Sequence, residues 1–436
     1  MAAILLVLSL AAQPSGTAWG GLATEILDNG LTVIAYEDHT APVLTICVAV
    51  RTGATCETPA TNGLAHFYEH MFFKGNQEVS NQQQYNERMR ELGIVRNGVT
   101  SDEAVRYYFT LPADLAREGM EFMYSAIATP LFDTAEMERE RQVILNEYQR
   151  NTTHPMWNFW KAREQVLFPC SPWRANTIGT PEVITSACPE VMREFQRKYY
   201  TPDNCALILA GDITVDSART MAREIFGDWA RGGASDYDSL GVCIGLRTDT
   251  TVHVQGPEGM AYVSVVYAGP PIQEDPEATY AADVWGTFLS RRGGRFYRNL
   301  VTEGPFLDVS GYYFTQRYGP TVGFGGPVVP GREEDALEEL RGEIASLCDP
   351  DYYGDEELET ARGMMRRERL FKAEVSRDLA IETLAFWWIV AGGMDYFQGY
   401  LDNIADVDRE DVMEFLEEYV CDSPSAAFVV SGGREG

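Results

Sequence analysis

The sequence predicts an α+β protein built as two copies of one unit, and three observations lead there. At 436 residues and 45% hydrophobic content the chain exceeds one ordinary core and suits two domains of about 200 residues each. Runs rich in β-branched residues are interspersed with amphipathic helical stretches. Laying the second half on the first without a gap, so that Ile184 meets Ile404, also sets Glu190 on Glu410, Phe195 on Phe415 and Tyr199 on Tyr419. Each copy is a helix, then a Pro-containing turn, then an apolar strand, at 206–211 and again at 426–432. Duplication places the units at 21–230 and 251–436, with a linker at 231–250 where Gly232, Gly233 and Ser235 precede Asp-rich polar sequence.

Residues 1–12 form an apolar run too short to span a bilayer, followed by small residues and Pro14, as expected of a secretory signal within residues 1–20. No Lys or Arg precedes Arg51, so the usual basic start of a signal is missing and the segment could instead be a buried strand. The same gap argues against a mitochondrial transit peptide. Export, in the periplasmic sense, is the expectation; a cytoplasmic location follows if the segment is not a signal.

Next, 31–36 and 43–50 read as strands joined by a polar turn, a β-meander. Residues 63–73 turn helical, 81–92 form an amphipathic helix, 104–111 return to strand, and 113–128 and 134–150 are helices. The last opens with Asp133 as N-cap and Glu136 placed to return the bond.

Composition excludes several classes. With 65 acidic against 35 basic residues, the net charge of −30 repels phosphate backbones and anionic headgroups, so no nucleic-acid partner is expected. No transmembrane segment is expected either. An acidic interior would favour basic peptides, although a solvated acidic surface is the plainer reading. None of the eight cysteines lies in a Cys-x-x-Cys pair. Most are expected as small buried residues, and Cys170 with Cys188, flanking a Pro-containing loop, is the pairing to test first.

The segment that carries chemistry is His66-Phe-Tyr-Glu69-His70, an H-x-x-E-H pattern. On a helix His66 and His70 are one turn apart and share a face with Glu69, so two nitrogen ligands and a base converge. With five His in the chain, such a spacing arises by chance on the order of 0.005 times. The flanking Phe67, Tyr68, Met71, Phe72 and Phe73 are apolar, and a metal would relieve the cost of burying the polar groups among them. The third ligand is expected to be a carboxylate on another element. The helix at 134–150 offers Glu147 and, two turns earlier, Glu140, one to bind metal and the other to orient a His. Taken alone these are ordinary helix carboxylates. His154 is a weaker alternative ligand at the start of a loop, and Arg291, Arg292, Arg295 and Arg298 form a basic cluster able to bind a substrate carboxylate or to salt-bridge another element.

Here the chain resembles the M16 peptidase family, which includes pitrilysin, insulin-degrading enzyme and the mitochondrial processing peptidase. That family is marked by H-x-x-E-H, a ligand Glu at a set distance downstream and a helper Glu seven positions before it. The interval from His70 to Glu147 is the family's own, and Glu140 stands at the helper position. Asn97-Gly98-Val99-Thr100-Ser101, Ile178-Gly179-Thr180-Pro181, and Tyr200-Thr-Pro-Asp-Asn204 leading to Ala210-Gly211-Asp212 also match, so the likeness covers nearly the whole chain after the leader. The resemblance implies two homologous domains, each a mostly antiparallel sheet packed with helices, one Zn2+ per chain held by His66, His70 and Glu147, and Glu69 as general base. It also implies Glu140 orienting a ligand, Asn97 on an edge strand binding substrate backbone, and peptide substrates enclosed between two such chains.

One departure matters. Single-chain active members carry an Arg and a Tyr seven positions apart in the second half; here Val301 stands at the Arg position, and neither Leu307 nor Asp308 is a Tyr. Either the chain is a non-catalytic scaffold or peptide-binding subunit, or it is the zinc-bearing half of a heterodimer whose paralogous partner lacks the zinc motif and supplies Arg and Tyr. The intact motif favours the heterodimer over a homodimer or scaffold.

Overall fold

The computed structural model describes residues 19–169, 176–232, 235–241 and 244–433. The expected leader lies outside them apart from Trp19 and Gly20, and Trp19 is buried with its ring 4.6 Å from that of Phe397. Among the described residues the β-branched runs pair into two sheets. The first holds β1 (Leu22–Ile26), β2 (Thr32–Glu37), β3 (Val43–Val50), β4 (Val95–Thr100), β5 (Val105–Pro112) and β6 (Cys205–Gly211), in the order β1-β2-β6-β3-β5-β4. The second holds β7 (Thr250–Gln255), β8 (Ala261–Ala268), β9 (Ser310–Phe314), β10 (Thr321–Pro327) and β11 (Ser425–Ser431), in the order β7-β11-β8-β10-β9.

Set β1 aside and the two orders coincide strand for strand. Even the exceptions match: β2 with β6 and β7 with β11 are parallel, and all other neighbours are antiparallel. The expected β-meander does not form, because β6 lies between β2 and β3. Every residue of β6 is buried, and a strand apolar on both faces is stable only in the middle of a covered sheet.

The helices include α1 (Leu64–Phe72), α2 (Gln82–Glu91), α3 (Ala116–Ala128), α4 (Thr134–Thr152) and α5 (Trp157–Leu167). Asp133 caps α4 by accepting from the backbone N–H of Ala135 and Glu136 at 3.0 Å each. Glu136 does not return the bond; its carboxylate accepts from Arg139 instead.

The two units exchange helices. From the first, α5 crosses over and packs on β7 and β11, with Phe159 against Tyr262 and Phe428 at 5.3 and 5.5 Å. From the second, the helical stretch 376–390 packs on β3 and β6 of the first sheet. Arg106 on β5 donates to the Ile381 carbonyl at 2.9 Å, and the Arg51 guanidinium lies 4.1 Å over the Trp388 ring.

The expected cysteine pairing is corrected. Cys188 is a free thiol and Cys170 lies outside the described residues, while Cys348 and Cys421 form a disulfide across 73 residues. Only the fold brings that pair together, at 5.9 Å between Cα atoms, which no sequence spacing signals. Cys47, Cys56 and Cys205 are buried thiols. No described helix is long and apolar enough to cross a membrane.

Candidate metal centre

Helix α1 is held from behind. Phe67, Tyr68, Met71 and Phe72 are fully buried, each side chain contributing roughly 1.5–3 kcal/mol. Tyr68 stacks on Tyr200 at 3.6 Å and Phe72 on Tyr107 at 4.0 Å. The opposite stripe of the helix, His66, Glu69 and His70, is therefore turned to the site. Its N-terminus has no side-chain cap at Gly63, and the buried Glu57 carboxylate takes that role. Glu57 accepts from the N–H of Gly63 and Ala65 at 2.7 Å each and from the Asn62 amide at 3.0 Å. Burial pushes its pKa up to about 7 against the opposing pull of those donors. Gly63, at φ +104°, passes so close to Gly179 that a Cβ on it would lie 2.7 Å from the Gly179 Cα. This contact explains the Gly in Ile178-Gly179-Thr180-Pro181.

On α4, Met137, Glu140, Ile144 and Glu147 fall on one stripe, which packs against α1. Ligand atoms of His66, His70 and Glu147 all lie within 4.8 Å of one another. The two Nε2 atoms are 3.3 Å apart, and a Glu147 carboxylate oxygen is 3.7 Å from the first and 3.5 Å from the second. Behind them Glu140 accepts from His70 Nδ1 at 2.9 Å and from Lys74 Nζ at 2.6 Å. Burial alone would raise Glu140, but these two donors outweigh it and hold the carboxyl below its usual range.

With Glu140 ionised it can only accept, so His70 Nδ1 carries a proton, and in the neutral ring this leaves the lone pair on His70 Nε2. Burial pushes His66 down to about 4, leaving it neutral. Two imidazole nitrogens and a carboxylate oxygen thus converge, and this donor set fits a divalent cation of the zinc type. His66 Nδ1 is buried without a hydrogen-bond partner among the described residues.

Glu69 stands beside the triad, accepting from the Thr100 hydroxyl at 2.6 Å, and burial raises its pKa. Thr100 belongs to β4, the outer strand of its sheet, whose far edge has no strand partner among the described residues. Gly98, two residues earlier, faces the same carboxylate: a Cβ there would lie 2.7 Å from Glu69 Cγ. Asn97 alternates to the other face and is exposed. Thr100, Gly98, Lys74 and Glu57 were not singled out by motif reasoning, although Gly98 and Thr100 lie inside a quoted motif. His154 lies away from the triad, stacked on Trp160 at 4.5 Å. In the basic cluster Arg291 pairs with Glu357 at 2.9 Å, and Arg295 lies 4.5 Å over the Tyr352 ring.

The second unit shows what has been replaced. The offset that sets Ile184 on Ile404 carries Ile208 to Phe428; following the pairing outward carries Cys47 to Ser264, Tyr108 to Gly325, Asn97 to Ser310 and Gly98 to Gly311. A Cβ on Gly311 would meet Leu289, the residue that the same offset sets on Glu69. Gly286 and Ser290 likewise stand for His66 and His70. The second unit thus keeps the fold without ligands or base.

Comparison with known proteins agrees. Residues 32–178 match the family described as Insulinase (Peptidase family M16), and residues 187–365 match the Peptidase M16 inactive domain. The chain belongs to peptidase family M16. Among curated relatives it is 28% identical over 211 residues to an uncharacterized zinc protease of Bacillus subtilis, covering 48% of this chain and 51% of that one. It is also 28% identical over 200 residues to the mitochondrial-processing peptidase subunit beta of Dictyostelium discoideum, covering 46% and 42%. The chain spans about half the length of the curated relatives it matches. In fold it is similar to a protease from Helicobacter pylori (TM-score 0.85, 18% identity, 94% and 99% covered) and to the periplasmic protease PqqL from Escherichia coli (0.75, 17%, 95% and 48%).

Proposed function

We propose that this chain is the zinc-bearing subunit of a metalloendopeptidase that hydrolyses peptides or unfolded polypeptides in a closed chamber. The observation that carries this reading is the convergence of His66, His70 and Glu147 beside an unengaged strand edge, with Glu69 at hand. His66, His70 and Glu147 would hold one zinc per chain, with Glu140 fixing the His70 ring. Zinc bound there supplies a Lewis acid that acidifies a water and polarises the scissile carbonyl. Glu69 accepts the proton of the attacking water and passes it to the leaving amine. The substrate adds a strand to the free edge of β4, where Asn97 engages its backbone. Residues 21–230 act as the zinc-binding domain and 251–436 as its non-catalytic homologue.

Val301, Leu307 and Asp308 leave the chain without the Arg and Tyr of single-chain members, so a paralogous subunit is assigned to supply them. The same lack supports a second reading, a non-catalytic peptide-binding subunit. Export is supported by the Cys348–Cys421 disulfide, which persists in oxidising compartments. A leader would then end before the buried Trp19.

Two expected outcomes bear on the site. Glu147→Gln should retain far less zinc than the parent after mild chelation, measured by elemental analysis; equal zinc in both would remove Glu147 from the ligand set. Gly98→Ala should keep its zinc yet lose about 10²-fold in peptide hydrolysis, because the new methyl displaces Glu69 by the order of an ångström. An unchanged rate would show that Glu69 is not held from that side.

A further inference from the structure

The sequence holds three Asn-Gly pairs, Asn29-Gly30, Asn62-Gly63 and Asn97-Gly98, and the fold treats them differently. Such a pair can react with itself, because glycine puts no side chain in the way of its own backbone nitrogen approaching the asparagine amide. Two of the pairs are tied at both ends. Asn29 is buried, its amide nitrogen donates to the Phe226 and Trp229 carbonyls, and the Gly30 N–H donates to the Leu27 carbonyl at 2.8 Å. Asn62 is buried, its amide nitrogen donates to Glu57 and to the Asn176 carbonyl, and the Gly63 N–H donates to Glu57 at 2.7 Å.

Asn97-Gly98 is tied at neither. The Asn97 side chain is exposed and has no hydrogen-bond partner among the described residues. Its glycine faces outward by register. Ser101 donates to the Ala104 carbonyl at 2.8 Å, and in an antiparallel ladder bonded pairs alternate with unbonded ones, so Asn97 bonds to Tyr108 while Gly98 does not bond to Tyr107. The Gly98 N–H is therefore directed at the edge of β4 that has no strand partner among the described residues. Thr100, in the same phase, behaves alike, its N–H reaching the Glu69 carboxylate instead of β5. Glycine is enforced here, since a Cβ would lie 2.7 Å from Glu69 Cγ, and its burial under Glu69 does not bar a reaction between neighbouring residues. Extended backbone keeps the two reacting groups apart, but a strand bonded along one side only opens at less cost than the buried pairs do.

We propose that Asn97 is a site of spontaneous deamidation, and that its conversion disables the edge on which substrate is bound. The Gly98 nitrogen attacks the Asn97 side-chain carbonyl carbon; that N–C bond forms, the C–NH2 bond breaks, and ammonia leaves with the backbone amide proton, giving a cyclic imide. Water then opens the imide to aspartate or to isoaspartate. Aspartate puts a new negative charge on the edge near Glu69, and isoaspartate reroutes the main chain through the β-carbon, shifting Gly98 and Thr100 against Glu69. The loss of function rests on the peptidase reading above; the conversion does not. The test ages the zinc-loaded full-length chain, with its partner subunit where cleavage requires one, in warm, mildly alkaline buffer. Peptide mapping by mass spectrometry follows all three asparagines, isoaspartate is scored by enzymatic methylation, and turnover is read on the same samples. Asn97 should convert about tenfold or more faster than Asn29 or Asn62, and the gap should close when the chain is unfolded in urea. Turnover should fall in step with the converted fraction, whereas Asn97→Gln, whose longer side chain closes a ring far more slowly, should hold its own starting rate. Conversion of Asn97 no faster than of the other two, or the same ordering in urea, would overturn the site. Full turnover in a converted sample would overturn the disabling role. If no sample cleaves peptide at any age, the peptidase reading fails, and the mapping alone decides the modification.

Discussion

Glu69→Gln is expected to leave the fold and the bound zinc in place while peptide hydrolysis falls by about 10²–10⁴-fold or more. The side chains are nearly isosteric, and the Thr100 hydroxyl can donate to the Gln carbonyl oxygen as it does to Glu69. Glu69 is absent from the three groups that converge as ligands, so metal content should match the parent. What the amide loses is the ability to accept and return a proton, and the proposed mechanism uses that ability twice. Elemental analysis and turnover on the same sample give the test. Parental turnover in a zinc-replete Glu69→Gln preparation would sink the assignment of Glu69 as base.

The second large effect concerns the missing Arg and Tyr. Each donor aimed at the developing oxyanion is worth about 10²–10³ in rate, so a chain with Val301 and Leu307 in that region should be nearly inactive alone. Mixing with a paralogous subunit that carries the pair should restore cleavage, with activity peaking at equimolar ratio because one chamber needs one of each. Vigorous hydrolysis by the isolated chain, abolished by Glu69→Gln to exclude a contaminant, would remove the need for a partner.

What could be read in advance followed from periodicity and spacing. His66 and His70 four apart fix their common face on any helix, and Glu140 and Glu147 seven apart do the same on α4. The duplication was legible because β6 and β11, each fully or almost fully buried, preserve length and offset under the strongest packing constraint in the chain. Strand order was not legible: nothing local to β2 and β3 says that β6, which lies beyond seven described α-helices in the sequence, inserts between them. The same holds for Cys348 with Cys421, and for Glu57, whose capping role depends on a turn that brings it back under α1. Thr100 lay in a recognised motif, but its bond to Glu69 depends on how closely β4 approaches α1, a distance set by Gly98.

The exchanged helices bear on why a duplicate without metal ligands persists. Deleting the second unit would strip 376–390 from β3 and β6 and leave bare the apolar surface that backs the metal-bearing half. Deleting α5 would likewise uncover β7 and β11. With Gly286, Leu289 and Ser290 at the positions equivalent to the ligands and base, the second unit offers no metal chemistry of its own, and what it supplies to its neighbour is cover for a sheet that could not stay folded bare.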